Sequence, residues 1–147
     1  MGNRVRYGDD PADVNDVATQ LCSIVTTECT AARLAIPRLI VEPGRTPVGP
    51  AGVSLYQVGT VKNVEGVRTY VSIDGGMSDN IRTALYDASF SCLLANRVSD
   101  ASPMLSRVVG KHCESGDILV KGVWLPADVS PGDVSNTSSG RVHPKHG

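Results

Sequence analysis

Three short segments of this sequence combine residue types that could do chemistry. They are Glu42-Pro43-Gly44-Arg45; Asp74-Gly75-Gly76-Met77-Ser78-Asp79-Asn80, with Arg82 and Tyr86 behind it; and Lys111-His112-Cys113-Glu114-Ser115-Gly116-Asp117. The first supplies a carboxylate, a glycine whose backbone can approach a ligand closely, and a guanidinium, a set suited to an anion such as phosphate. A turn closed by a surface ion pair is the other reading. In the second, paired glycines permit φ above zero in a tight turn, and no GxGxxG or GKS/T pattern accompanies them, so nucleotide binding has no support. Arg82 and Tyr86 are four residues apart and would share one face of a helical turn, where they could grip a carboxylate; a solvated Arg beside a packed Tyr meets the same spacing. In the third, Cys113 sits among charged and small residues, a setting that suits a working thiol better than core filling.

The bulk properties narrow the classes of function. The chain has 147 residues, 14 Lys+Arg against 15 Asp+Glu and a net charge of -1. That balance argues against a nucleic-acid backbone binder, which needs a clustered cationic excess. No apolar run approaches the roughly 20 residues that span a bilayer, so no membrane is expected. The start, Met1 to Tyr7, has no apolar export segment, and the four cysteines, Cys22, Cys29, Cys92 and Cys113, form no CxxC pair. A reducing cytoplasm with free thiols is the expectation. Cys and His never recur at ligand spacing, so no metal site is expected either.

Two unequal parts must position these loops. Asp10-Pro11 reads as a helix start, and Val14, Val17, Ala18, Leu21, Ile24, Val25 and Cys29 make one apolar stripe. The spacing predicts a helix over about 11–35 with both of its cysteines packed, ending before Pro37. Arg38–Val41 then reads as a short strand buried on both faces, so that helix, strand and Gly-containing turn form the end of an α/β unit. From Val53 the texture changes to β-rich runs at Val53–Val64, Arg68–Asp74, Ser89–Val98, Ser106–Gly110, Asp117–Val120 and Gly122–Leu125, which predict a mostly antiparallel sandwich or barrel. From Ser135 the polar stretch predicts a disordered tail over 135–147.

Taken in order, VEPGR, SIDGGMSDNIRTALY and VGKHCESGD resemble the C-terminal part of the diaminopimelate decarboxylase family, fold-type III enzymes that use pyridoxal 5'-phosphate. The resemblance runs from about Asp10 to Asp133, and HCESGD is its most diagnostic stretch. It implies an α/β plus all-β architecture: the last helix–strand unit of a (β/α)8 TIM barrel over 1–46, a C-terminal β domain over 47–134, and the tail. It also implies decarboxylation of meso-2,6-diaminopimelate to L-lysine and CO2. Under that resemblance Glu42, Pro43, Gly44 and Arg45 bind the cofactor: Glu42 faces its pyridine nitrogen, and Gly44 and Arg45 hold its phosphate, with Arg45 also near the substrate. Arg82, Tyr86 and Glu114 grip the distal end of the substrate, Arg82 taking the carboxylate and Glu114 the ammonium. Cys113 is the catalytic proton donor, and its loop reaches the neighbouring subunit's cofactor, which implies a homodimer.

Part of the family pattern has no counterpart. Most of the barrel would precede Glu42, and with it the lysine that forms the Schiff base; Lys62, Lys111, Lys121 and Lys145 all follow the barrel segment. The family's strand and GAYCYS-like segment after Pro131-Gly132-Asp133 give way to the polar stretch. The expectation is a fragment truncated at both ends and inactive alone. Two further readings stand beside it: a non-catalytic β domain pairing with a full-length subunit, and an inert remnant.

Overall fold

The computed structural model describes residues 13–42, 44 and 52–138. The elements in chain order are α1 (Val14–Ala31), β1 (Val53–Val64), β2 (Arg68–Ile73), α2 (Arg82–Tyr86), β3 (Ser91–Leu94), β4 (Pro103–Val109), β5 (Ile118–Pro126) and β6 (Val134–Ser138). Asp13 caps α1: its carboxylate accepts from the amides of Asn15 at 2.7 Å and Asp16 at 3.4 Å, satisfying donors that a helix start leaves open. At the other end Arg33 turns left-handed (φ 55°) and the Leu34 amide reaches back to the Cys29 carbonyl. This cap makes the helix shorter than the expected 11–35.

The apolar stripe of α1 meets nothing among the described residues. No α1 side chain is buried, and the helix touches none of the strands. Cys22 is exposed and Cys29 half-buried, so the expected packing of these thiols is not found. Arg38–Val41 is not a strand. Residues 34–42 are irregular and exposed, Ile40 at 82%. A parallel strand is held by hydrogen-bonded neighbours, and the described residues place none beside this segment.

The six strands form one sheet in the order β3-β6-β1-β2-β4-β5. Every pairing is antiparallel except β2 with β4, which run parallel with Tyr70 opposite Arg107 and Ser72 opposite Val109. The outer strands β3 and β5 lie against each other without a ladder, so the mixed sheet curls into a nearly closed barrel. Bulges shape it. Gly59 and Thr60 together oppose Ser72, whose hydroxyl accepts from the Thr60 amide at 2.7 Å. Lys121 and Gly122 together oppose Arg107, which also joins the two expected strands 117–120 and 122–125 into one. A third shift leaves Leu119 between partners, so Leu119 and Val120 both turn inward.

The core gathers Tyr56, Val58, Val71, Ile73, Phe90, Cys92, Val108, Leu119, Val120, Leu125 and Val129. Each Val, Leu or Ile buried there stabilises by about 1.5–3 kcal/mol relative to exposure. Strand β3 is shorter than the expected Ser89–Val98, and β4 begins earlier than expected, at Pro103. The polar stretch is also different from its expectation. Val134–Ser138 form β6, slotted between β1 and β3, with Leu55 and Leu93 both opposite Asn136. Ladder hydrogen bonds need no apolar side chains, and the edges of β1 and β3 offer the donors and acceptors. Residues 139–147 lie outside the described residues.

Candidate active site

The single parallel pairing decides where the chemistry-bearing loops fall. Because β2 and β4 run the same way and Ser72 is level with Val109, the loop leaving β2 and the loop leaving β4 emerge at one end of the sheet. These are the Asp74–Asn80 and Lys111–Asp117 segments.

Asp117 joins them. The residue is 3% exposed, and its carboxylate accepts from the Met77 amide at 2.6 Å and the His112 amide at 2.7 Å. The Lys111 amide donates to the Gly75 carbonyl at 2.9 Å, and the amides of Gly110 and Asp117 donate to the carbonyls of Asp117 and Glu114. Ser78 Oγ lies 2.9 Å from His112 Nε2, a third link across the two loops. A side chain at Gly110 or Gly76 would collide with the Asp117 carboxylate, so glycine at these positions is what lets the carboxylate come so close. Within the first loop, Asp79 accepts from the Gly76 amide at 2.9 Å and closes the turn.

Cys113 and Glu114 are exposed on the second loop. Glu114 Oε1 accepts from Ser115 Oγ at 3.1 Å and the Gly116 amide at 3.3 Å. Arg82 and Tyr86 open and close α2, which follows the first loop directly. Thr83 Oγ1 fastens α2 to β5 by donating to the Leu119 carbonyl at 2.9 Å. Arg82 is half-buried and its Nη1 donates to Asn80 Oδ1 at 3.3 Å, while Tyr86 is 74% exposed. The structure thus brings the segments of Arg82, Tyr86, Cys113 and Glu114 to one end of the sheet. Among the described residues no hydrogen bond or ion pair joins Arg82 or Tyr86 to Cys113 or Glu114.

Glu42 and Gly44 are not brought to this group. Both are exposed, and no described hydrogen bond ties residues 35–44 to either loop. Gly44 takes φ 59° with open space where a Cβ would sit, a left-handed turn that can admit a bulky anion beside its backbone. An acid followed by such a turn fits part of a cradle for pyridoxal phosphate. Pro43 and Arg45 lie outside the described residues. The lysines in the described part, Lys62, Lys111 and Lys121, belong to the sheet and its loops. Among the described residues no group of His, Cys, Asp and Glu could hold a metal ion.

Sequence reasoning placed Asp117 inside its motif but gave it no role, and it missed the Ser78–His112 link. An Asp directly before a strand, after a Gly-containing loop, was the signal that could have found it.

Comparison with known proteins matches the chain to a family. Residues 22–137 match the family described as pyridoxal-dependent decarboxylase, C-terminal sheet domain. The diaminopimelate decarboxylase of Mycobacterium tuberculosis H37Rv is 55% identical over 130 residues, covering 86% of this chain and 29% of that protein. That of Staphylococcus aureus is 43% identical over 145 residues, covering 97% of this chain and 34% of that protein. A crystal structure of the M. jannaschii diaminopimelate decarboxylase with L-lysine superposes with a TM-score of 0.76 at 30% identity, over 90% of this chain and 30% of that one. The chain therefore spans about a third of the length of these relatives. On a match that covers most of its length, it belongs to the pyridoxal-dependent decarboxylase family, as a C-terminal sheet domain.

Proposed function

We propose that this chain serves a pyridoxal-phosphate-dependent diaminopimelate decarboxylase, which converts meso-2,6-diaminopimelate to L-lysine and CO2. In this reading residues 1–46 are the end of the cofactor-binding barrel and 47–134 the β domain, extended by β6 to Ser138. The supporting observation is the Asp117 staple: it presents Cys113 and Glu114 on a braced loop beside the one leading to Arg82 and Tyr86.

The bound cofactor supplies an electron sink that lets the C–CO2 bond break. Glu42 would hold its ring nitrogen, Gly44 and Arg45 its phosphate, with Pro43 among the cofactor-binding residues and Arg45 also near the substrate. The chain's own residues handle the remainder. Arg82 pairs with the distal carboxylate of the substrate, Glu114 with the distal ammonium, and Tyr86 closes over that end. Once CO2 has left, the Cys113 thiol gives its proton to the α-carbon. A homodimer in which the 111–117 loop completes the partner's site fits the exposure of this loop, and a cytoplasmic location fits the free thiols.

The test is CO2 release from meso-diaminopimelate by the intact decarboxylase that carries this sequence. Cys113→Ala should lower kcat by roughly 10²–10⁴, as loss of a general acid does, with little change in KM. Arg82→Gln should act mainly on KM. An unchanged kcat in Cys113→Ala would remove the proton-donor role. Mixing the chain with a full-length relative whose matching cysteine is Ala checks sharing between subunits: restored CO2 release is the expected outcome, and none would count against it.

A further inference from the structure

The outer face of β2, β4 and β5 carries a charge arrangement that the decarboxylase chemistry does not use. At the bulge opposite Arg107, the Lys121 carbonyl oxygen accepts from Arg107 Nε at 3.1 Å and from Arg68 Nη1 at 3.0 Å. Two guanidinium groups therefore converge on one neutral oxygen. Among the described residues neither has a carboxylate partner, and Asp87 is engaged by the Lys121 ammonium. Like charges held this close repel, and an anion seated between them would relieve the repulsion.

These are not free surface arginines. Arg68, Arg107 and Tyr70 are all half-buried, and the Arg107 guanidinium lies over the Tyr70 ring, 5.9 Å from its centre. The stack and the Nε bond fix the plane of the fork. No described group takes its two Nη donors, the edge that recognises carboxylate or phosphate in bidentate fashion. Arg107 also walls a cavity of about 350 Å³ that Tyr70, Val109, His112 and Ile118 line with it, a volume typical of small-molecule sites. The carboxylates of Asp117 and Glu114 line the same cavity, so an anion belongs at its Arg107 end, away from them.

We propose that Arg107 and Arg68, backed by Tyr70, form a binding site for a small carboxylate or phosphate anion, separate from Arg82 and Tyr86. The proposal does not depend on the decarboxylase reading.

The test is an amide NMR titration of the 147-residue chain with inorganic phosphate and, separately, with acetate, at ionic strength held constant with sodium chloride. The expected result is saturable shifts at Tyr70, Gly110 and Lys121, with the tighter of the two anions identifying the source. Arg107→Gln and Arg68→Gln should each weaken the titration about tenfold, and Arg107→Lys, which keeps the charge but loses the fork, should recover only part. Shifts that chloride alone reproduces, or that both Gln variants retain, would overturn the proposal. If Arg107→Gln loses its cooperative melt, Arg68→Gln, which leaves the Tyr70 stack in place, decides the matter.

Discussion

Replacing Asp117 by Asn keeps the shape of the side chain but turns one acceptor oxygen into a donor, which then faces the amide of Met77 or of His112. Two donors pointed at each other in a buried site cost about 1–3 kcal/mol. Asp117→Asn should lower the urea midpoint accordingly and speed hydrogen exchange at the Met77 and His112 amides. Gly110→Ala should cost more, since its methyl group would overlap the Asp117 carboxylate. Cys113→Ser, at an exposed position, should leave stability within about 0.5 kcal/mol. At this scale the sequence announced the thiol, because residue type and neighbours are local facts. Asp117 could not be read the same way, because its partners lie up to 40 residues away and meet it only through the parallel β2–β4 register.

Among the elements, the hydrophobic runs of β1, β2, β4 and β5 were visible because half-buried strands carry apolar residues in patterns. Strand β6 was not, since it joins by backbone pairing and its inward positions are Ser135 and Thr137. Asn136 shows the strain of that composition: between Leu55 and Leu93, its Oδ1 is buried with no hydrogen-bond partner among the described residues. Asn136→Val removes an unpaired acceptor and adds a β-branched residue, so it should stabilise by about 1 kcal/mol in urea melts. Helix α1 errs in the opposite direction. Its stripe was legible, whereas its caps, Asp13 and the turn at Arg33, were not the ones expected, and the surface that the stripe should cover is absent from the described residues. Deleting residues 1–44 should move the melting midpoint of the sheet by less than about 4 °C; a larger fall would show that α1 braces the sheet.

For the molecule as a whole, acid and alkaline limits have separate causes. Arg97 grips Asp133 through Nε at 3.0 Å and Nη2 at 2.8 Å, and reaches Asp128 at 2.8 Å. The Arg97 guanidinium, then Asn96, hold the Asp133 carboxyl well below the usual carboxylate range, and Arg97 with Ser99 lowers Asp128 as well. Groups depressed in the folded state stabilise it fully above their ordinary pKa of about 4 and lose that contribution as pH falls below it. Asp133→Asn should therefore flatten the fall in stability between about pH 4 and pH 2. Burial pushes the Cys92 thiol up to about 12. The unfolded chain ionises first, so stability should decline above about pH 9, by up to about 1.4 kcal/mol per pH unit. Urea melts at about pH 8 and about pH 10.5, on either side of the ordinary thiol pKa, should show a smaller loss for Cys92→Ala than for the parent.

The last strand lies between the first and the third. A ribosome making this chain must deliver β6 before β1 and β3 have anything to join them, because its partners were synthesised some forty to eighty residues earlier. Until then both strands expose bare edges on a nascent polypeptide, an invitation to pair with the wrong neighbour. Among the described strands the barrel thus cannot close before β6 arrives, and a ribosomal pause just short of Val134 would prolong the exposure of those two edges.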